Sequence, residues 1–286
     1  MKSIVLTCDR YHHVTNHMIT MYEKTWPDNP FVFRVPWNET YPEFIKEKWG
    51  DKVELIQTPV EFKKTIDGLI DDLSGDEWIF WACDDVYPIE IEQERCRIIS
   101  DWVINEADDT VLSVSFINWE TDLELRHYVT NNTVDEVEYE GLRLIRKKSI
   151  TNQWQHHFWR VKVLKRMFDC LDEPKELAKE MDYMQKEIKS QKFWNLINEG
   201  KWYMLDHNAA IFGESTARGV NMLLNCAGSF YDNNLEIPDQ FTIVDVVRIK
   251  PNTAHWRRQR AETKNSLILM DLKRKIEKRK LIEDNI

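Results

Sequence analysis

The chain has 286 residues, 42% hydrophobic and 31% charged, a balance that excludes low-complexity, fibrous and intrinsically disordered classes. Its formal charge of −10 disfavours general nucleic-acid binding through phosphate contacts, and no apolar run reaches the ~18 residues that a bilayer crossing needs. Five cysteines, odd in number and without a CxxC pair, indicate neither a disulfide framework nor a Cys-rich zinc site, so a reducing cytoplasm is the expected compartment.

Residues 2–8 (KSIVLTC) form a β-branched run that predicts a strand, residues 9–13 break it, and 14–26 read as a helix stopped by Pro27. Apolar runs at 31–35 and 52–56, closed by Pro36 and by Thr58-Pro59, predict two more strands. Over 61–73, Phe62, Ile66, Leu69, Ile70 and Leu73 fall at helical spacing. Residues 78–83 are apolar throughout, as a strand covered on both faces should be, and the run stops abruptly at Asp84-Asp85. Strands alternating with helices predict an open α/β sheet with parallel central strands.

The second half carries fainter signals. Residues 91–109 read as helix, 110–117 as extended, and 118–148 as a polar, loop-rich stretch around a strand at 142–145. Helices are expected over 158–168 and from 174 to about 190, then a strand at 202–205, a segment at 208–212 and a loop at 213–219. A basic helix closes the chain over 266–286. Residues 250–286 carry a local charge of +6, against −16 for residues 1–249, so the tail is electrostatically distinct.

In open parallel sheets ligands sit beyond the carboxyl ends of the strands, which makes Asp84 and Asp85 the first candidates. Adjacent carboxylates ending an apolar strand repel each other and are costly to desolvate. A divalent cation with oxygen ligands is one remedy; a helix N-cap or a turn before Pro88 is the structural alternative.

A strand ending in Thr7-Cys8-Asp9-Arg10, further α/β elements, then a hydrophobic strand, acidic pair and aromatic/Pro turn (Trp81-Ala82-Cys83-Asp84-Asp85-Val86-Tyr87-Pro88) resembles the nucleotide-sugar-dependent glycosyltransferases of the GT-A fold, over roughly residues 1–220. The resemblance implies an open mixed α/β sheet with mostly parallel central strands flanked by helices. Residues 1–117 would be the nucleotide-sugar-binding half, 118–249 the acceptor-side half of the same domain, and 250–286 the tail. It also implies transfer of a sugar from a nucleotide-diphosphate donor to a glycan or other hydroxyl acceptor, with Mn²⁺ or Mg²⁺ bridging the diphosphate.

In that fold the last carboxylate of a D-x-D-type motif binds the metal, and here the motif departs from the pattern. Read as Cys83-Asp84-Asp85 its first acid is a cysteine; read as Asp84-Asp85-Val86 its last is a valine. The first register makes Asp85 the metal ligand and sets Asp84 near the ribose or a coordinated water. Thr7 and Asp9 are expected to hydrogen-bond base or ribose, Arg10 to contact the nucleotide and Arg218 to lie against a phosphate. Lys63 and Lys64 read as a solvated helix face that could also reach the nucleotide.

Inverting transfer needs a general base for the acceptor hydroxyl. In similar proteins an acidic motif opens a helix after a segment like 153–160, and Glu180-Met181-Asp182-Tyr183 matches it best. Glu180 flanks the Leu177/Met181/Met184 face and is the preferred base; a helix starting later favours Asp182. His156 and His157 read as core or acceptor-lining residues rather than zinc ligands, and His207 or His255 as candidates to complete the metal site. Trp119, Trp154 and Trp159 are expected to face sugars.

Two other readings stay open: a non-catalytic carbohydrate-binding or assembly protein on the same scaffold, and a phosphohydrolase using Asp84 and Asp85, which would be expected to gather more acids or histidines. In the tail, Leu269, Leu272 and Ile276 share one side, bordered by Lys273, Arg279 and Lys280. That helix could dock on the acidic body, pair with a second subunit, or rest on an anionic membrane where lipid-linked acceptors lie. The expected location is therefore cytoplasmic, free or peripheral to a membrane.

Overall fold

The computed structural model describes residues 1–116, 136–146, 155–169, 199–217 and 219–244. Strand β1 is Lys2–Leu6, β2 Val32–Trp37, β3 Val53–Gln57 and β4 Trp78–Cys83. A run with no polar side chain is stable as a strand only where both faces are covered, and β4 is buried at every position. The four strands are mutually parallel in the order β3-β2-β1-β4. The chain thus steps outward from β1 to β3 and returns on the other side of β1, so the order reverses between β1 and β4. Helices α1 (His12–Thr25), α2 (Glu43–Trp49) and α3 (Phe62–Ile70) make the crossovers.

Past β4 the sheet becomes mixed. Its remaining strands are β6 (Val111–Ser115), β7 (Glu136–Tyr139), β8 (Leu142–Arg146), β9 (His157–Arg160) and β10 (Lys201–Leu205), giving the order β3-β2-β1-β4-β9-β6-β10-β8-β7. Strand β9 runs antiparallel to both neighbours, β4 and β6. Helix α4 (Gln93–Asn105) leads into β6, and α5 (Val161–Asp169) follows β9 directly. Outside the main sheet, β5 (Val86–Ile91) pairs antiparallel with β11 (Ala210–Glu214). Strands β12 (Thr216–Ala217), β13 (Asn221–Leu223) and β14 (Thr242–Val244) form a small sheet with α6 (Leu224–Asp232) beside it.

The open mixed α/β sheet matches the expectation, but three local readings are corrected. The helix expected over 158–168 begins at Val161, because the preceding four residues are β9 in the middle of the sheet. The aromatic/Pro segment after the acids is strand β5 rather than a turn. The loop expected at 213–219 contains the end of β11 and all of β12. The helix expected from 174 and the tail helix over 266–286 lie outside the described residues. Among the described residues no helix is long and apolar enough to cross a membrane.

Aromatic burial holds the sheet centre together. Phe31 stacks on Phe80 at 4.0 Å, Phe80 meets Phe116 and Phe158, and Trp81 stacks on Trp159 at 5.5 Å. Each such side chain contributes about 1.5–3 kcal/mol by leaving water. At the amino end of β4, Arg160 lies opposite Trp78 and packs its guanidinium 4.2 Å from the centre of the Trp78 ring. It donates to the carbonyls of Val111 (3.2 Å), Asp76 (2.7 Å), Ala107 (3.0 Å) and Asp108 (2.9 Å), clamping two loops to the sheet.

Candidate active site

The site is built where the strand order reverses. Thr7 stands just past β1, and its hydroxyl donates to Asp84 Oδ2 at 2.6 Å; the Thr15 hydroxyl, from α1, donates to Thr7 Oγ1 at 2.8 Å. The Asp84 amide also donates to the Leu6 carbonyl at 3.2 Å. The first acid is thus tied to β1 and α1. It is buried, and burial followed by the charge of Asp85 holds its pKa well above the carboxylate range, with the Thr7 bond opposing. Asp85 is half-buried, and burial together with nearby Glu214 pushes its pKa up to about 6.

Glu214 arrives from far along the chain. Strand β11 sets it opposite Val86 on β5, and the Ser215 amide donates to the Asp85 carbonyl at 2.6 Å. Gly213 makes the close approach possible, since a Cβ there would fall 2.9 Å from the Tyr87 ring. The sequence reading missed Glu214. Its one local sign was an acid beside a glycine within a segment read as a loop.

Of the other expected nucleotide contacts, Arg10 lies at the rim with its guanidinium 4.9 Å from the centre of the Tyr11 ring and donates to the Tyr11 hydroxyl at 3.3 Å. The Asp9 carboxylate accepts from the amides of Asn38, Glu39 and Thr40, each at 2.8 Å. Against the cost of partial burial, these bonds hold its pKa below the usual range. Asp9 therefore fixes the loop after β2, where Trp37 and Tyr41 meet edge to face at 5.5 Å. Cys8, half-buried next to the pair, is a neutral thiol: burial and Asp84 push its pKa up.

Of the remaining candidates, Lys63, Lys64, His156 and His157 stand as expected, whereas Trp159 does not. Trp159 is fully buried against Trp81 and does not face a sugar. Lys63 pairs with Asp169 at 3.4 Å and Lys64 with Glu61 at 3.0 Å, both as surface ion pairs. His207 is exposed beside Asp206 at 3.0 Å, in the turn after β10. His157 is buried against the Trp159 ring at 4.2 Å, and His156 is a core residue fully out of water. Burial pushes the His156 pKa down to about 4, leaving a neutral ring. Glu180, Asp182, Arg218, Trp119, Trp154 and His255 lie outside the described residues.

Among the described residues no three His, Cys, Asp or Glu side chains are placed to enclose one ion, so no all-protein metal cage is present there. One or two carboxylates at the mouth of a cleft do suit Mg²⁺ or Mn²⁺. Mg²⁺ in particular keeps several waters and takes its remaining ligands from substrate phosphates. The carboxylate oxygens of Asp84 and Asp85 are donors of the kind such an ion takes.

No family model and no curated relative matches the chain. Among solved structures it is similar to the galactosyltransferase LgtC, in complex with donor and acceptor sugar analogs, at 10% identity over 91% of this chain and 94% of that one, with a TM-score of 0.38. It is also similar to the bifunctional glycosyltransferase WbbM (11% identity, 96% of this chain, 51% of that one, TM-score 0.39). A third is 4-diphosphocytidyl-2C-methyl-D-erythritol synthase from Anaerococcus prevotii (11% identity, 73% of this chain, 88% of that one, TM-score 0.36). These likenesses are loose, and none of them assigns an activity to this chain.

Proposed function

We propose that the protein transfers a sugar from a nucleotide-diphosphate donor to a hydroxyl acceptor such as a glycan. One observation carries the reading: an acidic pair, buried Asp84 and half-buried Asp85, tied to β1 through the Thr7–Asp84 bond, stands at the carboxyl ends of β1 and β4 where the strand order reverses. In doubly wound sheets this reversal opens the crevice that receives nucleotides. Asp84 and Asp85, whose burial and neighbouring acids raise their pKa values, are costly to ionise without a cation, and a donor diphosphate brought in with a divalent metal removes the cost. The metal, when bound at Asp85, would supply positive charge to the departing diphosphate. Thr7 and Thr15 orient Asp84, Arg10 adds a cation at the rim, and Glu180 or Asp182 takes the acceptor proton.

A thermal-shift screen of nucleotides and nucleotide sugars with and without Mn²⁺ tests this reading, since a ligand that binds only the folded state raises its apparent stability. The expected result is stabilisation by a nucleotide-diphosphate sugar that depends on Mn²⁺, followed by slow hydrolysis of that donor to nucleoside diphosphate and free sugar. Donor binding without hydrolysis or transfer would favour a carbohydrate-binding protein. The absence of any nucleotide-dependent shift would overturn the proposal.

A further inference from the structure

Strands β4 and β9 pair as far as Trp81 opposite His157, and two more steps of an antiparallel ladder would set the Cys83 backbone against residue 155. A side chain takes that place. The His156 imidazole is fully buried, and its Nε2 lies 3.0 Å from both the amide nitrogen and the carbonyl oxygen of Cys83. Its Nδ1 lies 2.5 Å from the Tyr22 hydroxyl on α1, and its ring centre lies 5.0 Å from that of Phe212 on β11. The ring thus touches β4, α1 and β11, the elements that deliver Asp84 and Asp85, Thr15 and Glu214.

Packing does not explain a polar ring at this point. Tyr22, Phe80 and Phe212 surround the imidazole, and an apolar ring of similar size would fit among them. Such a ring would leave the Tyr22 hydroxyl and the Cys83 peptide short of a partner. Nε2 either accepts from the Cys83 amide or donates to its carbonyl, and in either tautomer the imidazole ties this peptide to the Tyr22 hydroxyl, so that the buried polar groups fix one arrangement among several that hydrophobic packing alone tolerates. Here the arrangement fixed is that of the last peptide before the acids.

We infer that His156 is a positioning residue, which holds the end of β4 through the Cys83 peptide and so aims the Asp84 and Asp85 carboxylates into the crevice. Its purpose rests on the proposed transfer reaction, whereas its geometric effect does not. Three variants, His156→Phe, His156→Gln and Tyr22→Phe, are compared by amide hydrogen exchange across residues 82–86 and by the affinity for Mn²⁺ alone, read from water proton relaxation. In His156→Phe, exchange confined to 82–86 should quicken and Mn²⁺ should bind about 10- to 100-fold more weakly, the usual scale for losing a support behind a ligand. His156→Gln, whose side-chain amide can both donate to and accept from a peptide, should recover most of both properties, and Tyr22→Phe should fall between.

Parent-like exchange and Mn²⁺ affinity in a folded His156→Phe protein would overturn the inference, as would faster exchange spread over the whole sheet. If His156→Phe does not fold, Tyr22→Phe decides: unchanged values there overturn it. If the parent itself binds no Mn²⁺, the metal-assisted reading fails by itself, and the exchange pattern still decides the role of His156.

Discussion

The two ends of strand β4 treat buried charge in opposite ways. At the amino end one guanidinium donates to four backbone carbonyls and lies against an indole face, so most of its donors are answered. At the carboxyl end Asp84 has a hydroxyl donor but faces Asp85, which in turn faces Glu214. A buried charge with a full set of partners holds a fold together, whereas one left short of positive partners keeps free energy available for a ligand. The same strand does both because its six apolar residues hold the two ends rigidly apart.

The sharpest way to break this contrast is Asp85→Asn. It should lower metal-dependent donor turnover by at least about 10³-fold, some 4 kcal/mol of transition-state stabilisation, while the protein stays folded. Persistent turnover would reduce the carboxyl end to simple strain. Next in size, Arg160→Met should cost about 3 kcal/mol or more in urea unfolding by leaving carbonyls of two loops without their charged donor, with Mn²⁺ affinity unchanged. A variant as stable as the parent would remove the amino-end half of the comparison.

Asp9 sharpens the rule, since it is an acid on the functional edge that has complete partners. Asp9→Ala should cost about 1–2 kcal/mol and loosen residues 38–41, measurable as faster proteolysis there. A further effect is a slope with pH. Asp85 holds its proton more tightly folded, with a pKa of about 6, than unfolded, with an ordinary carboxylate value near ~3.9. Its stabilising protonation is therefore fully present below about pH 4 and lost as pH rises through about 6. Urea midpoints across that window should decline in the parent and decline less steeply in Asp85→Asn, where buried Asp84 keeps its own raised pKa. Asp9, whose pKa is lowered, contributes in the opposite sense at more acid pH.

Strand β4 and its acidic end were legible because an apolar run on both faces followed by two charges has few other solutions. Strand β9 was not. Its four residues are buried on both sides, show no alternation and pass into α5 without a turn, so they read as the start of that helix. Strand β5 was hidden by Pro88, which is accommodated because it faces Phe212 at an irregularity in a two-stranded ribbon. Glu214 and the pairing of His156 with Cys83 depend on contacts between residues far apart in sequence, which local patterns do not encode. Trp159 shows the converse: an aromatic residue read as a sugar platform is core because β9 faces Trp81.

The late arrival of β9 also bears on how the chain emerges during synthesis. Strand β4 receives β1 on one edge early, but its other edge waits for a strand that begins 74 residues after β4 ends. At translation rates of about 5–20 residues per second, that gap lasts about 4–15 s. Throughout it a fully apolar strand presents an unpaired edge, the feature that recruits other chains into aggregates. Yield of soluble protein will therefore follow elongation speed and chaperone supply, and fragments ending before residue 157 will be recovered mainly from the insoluble fraction.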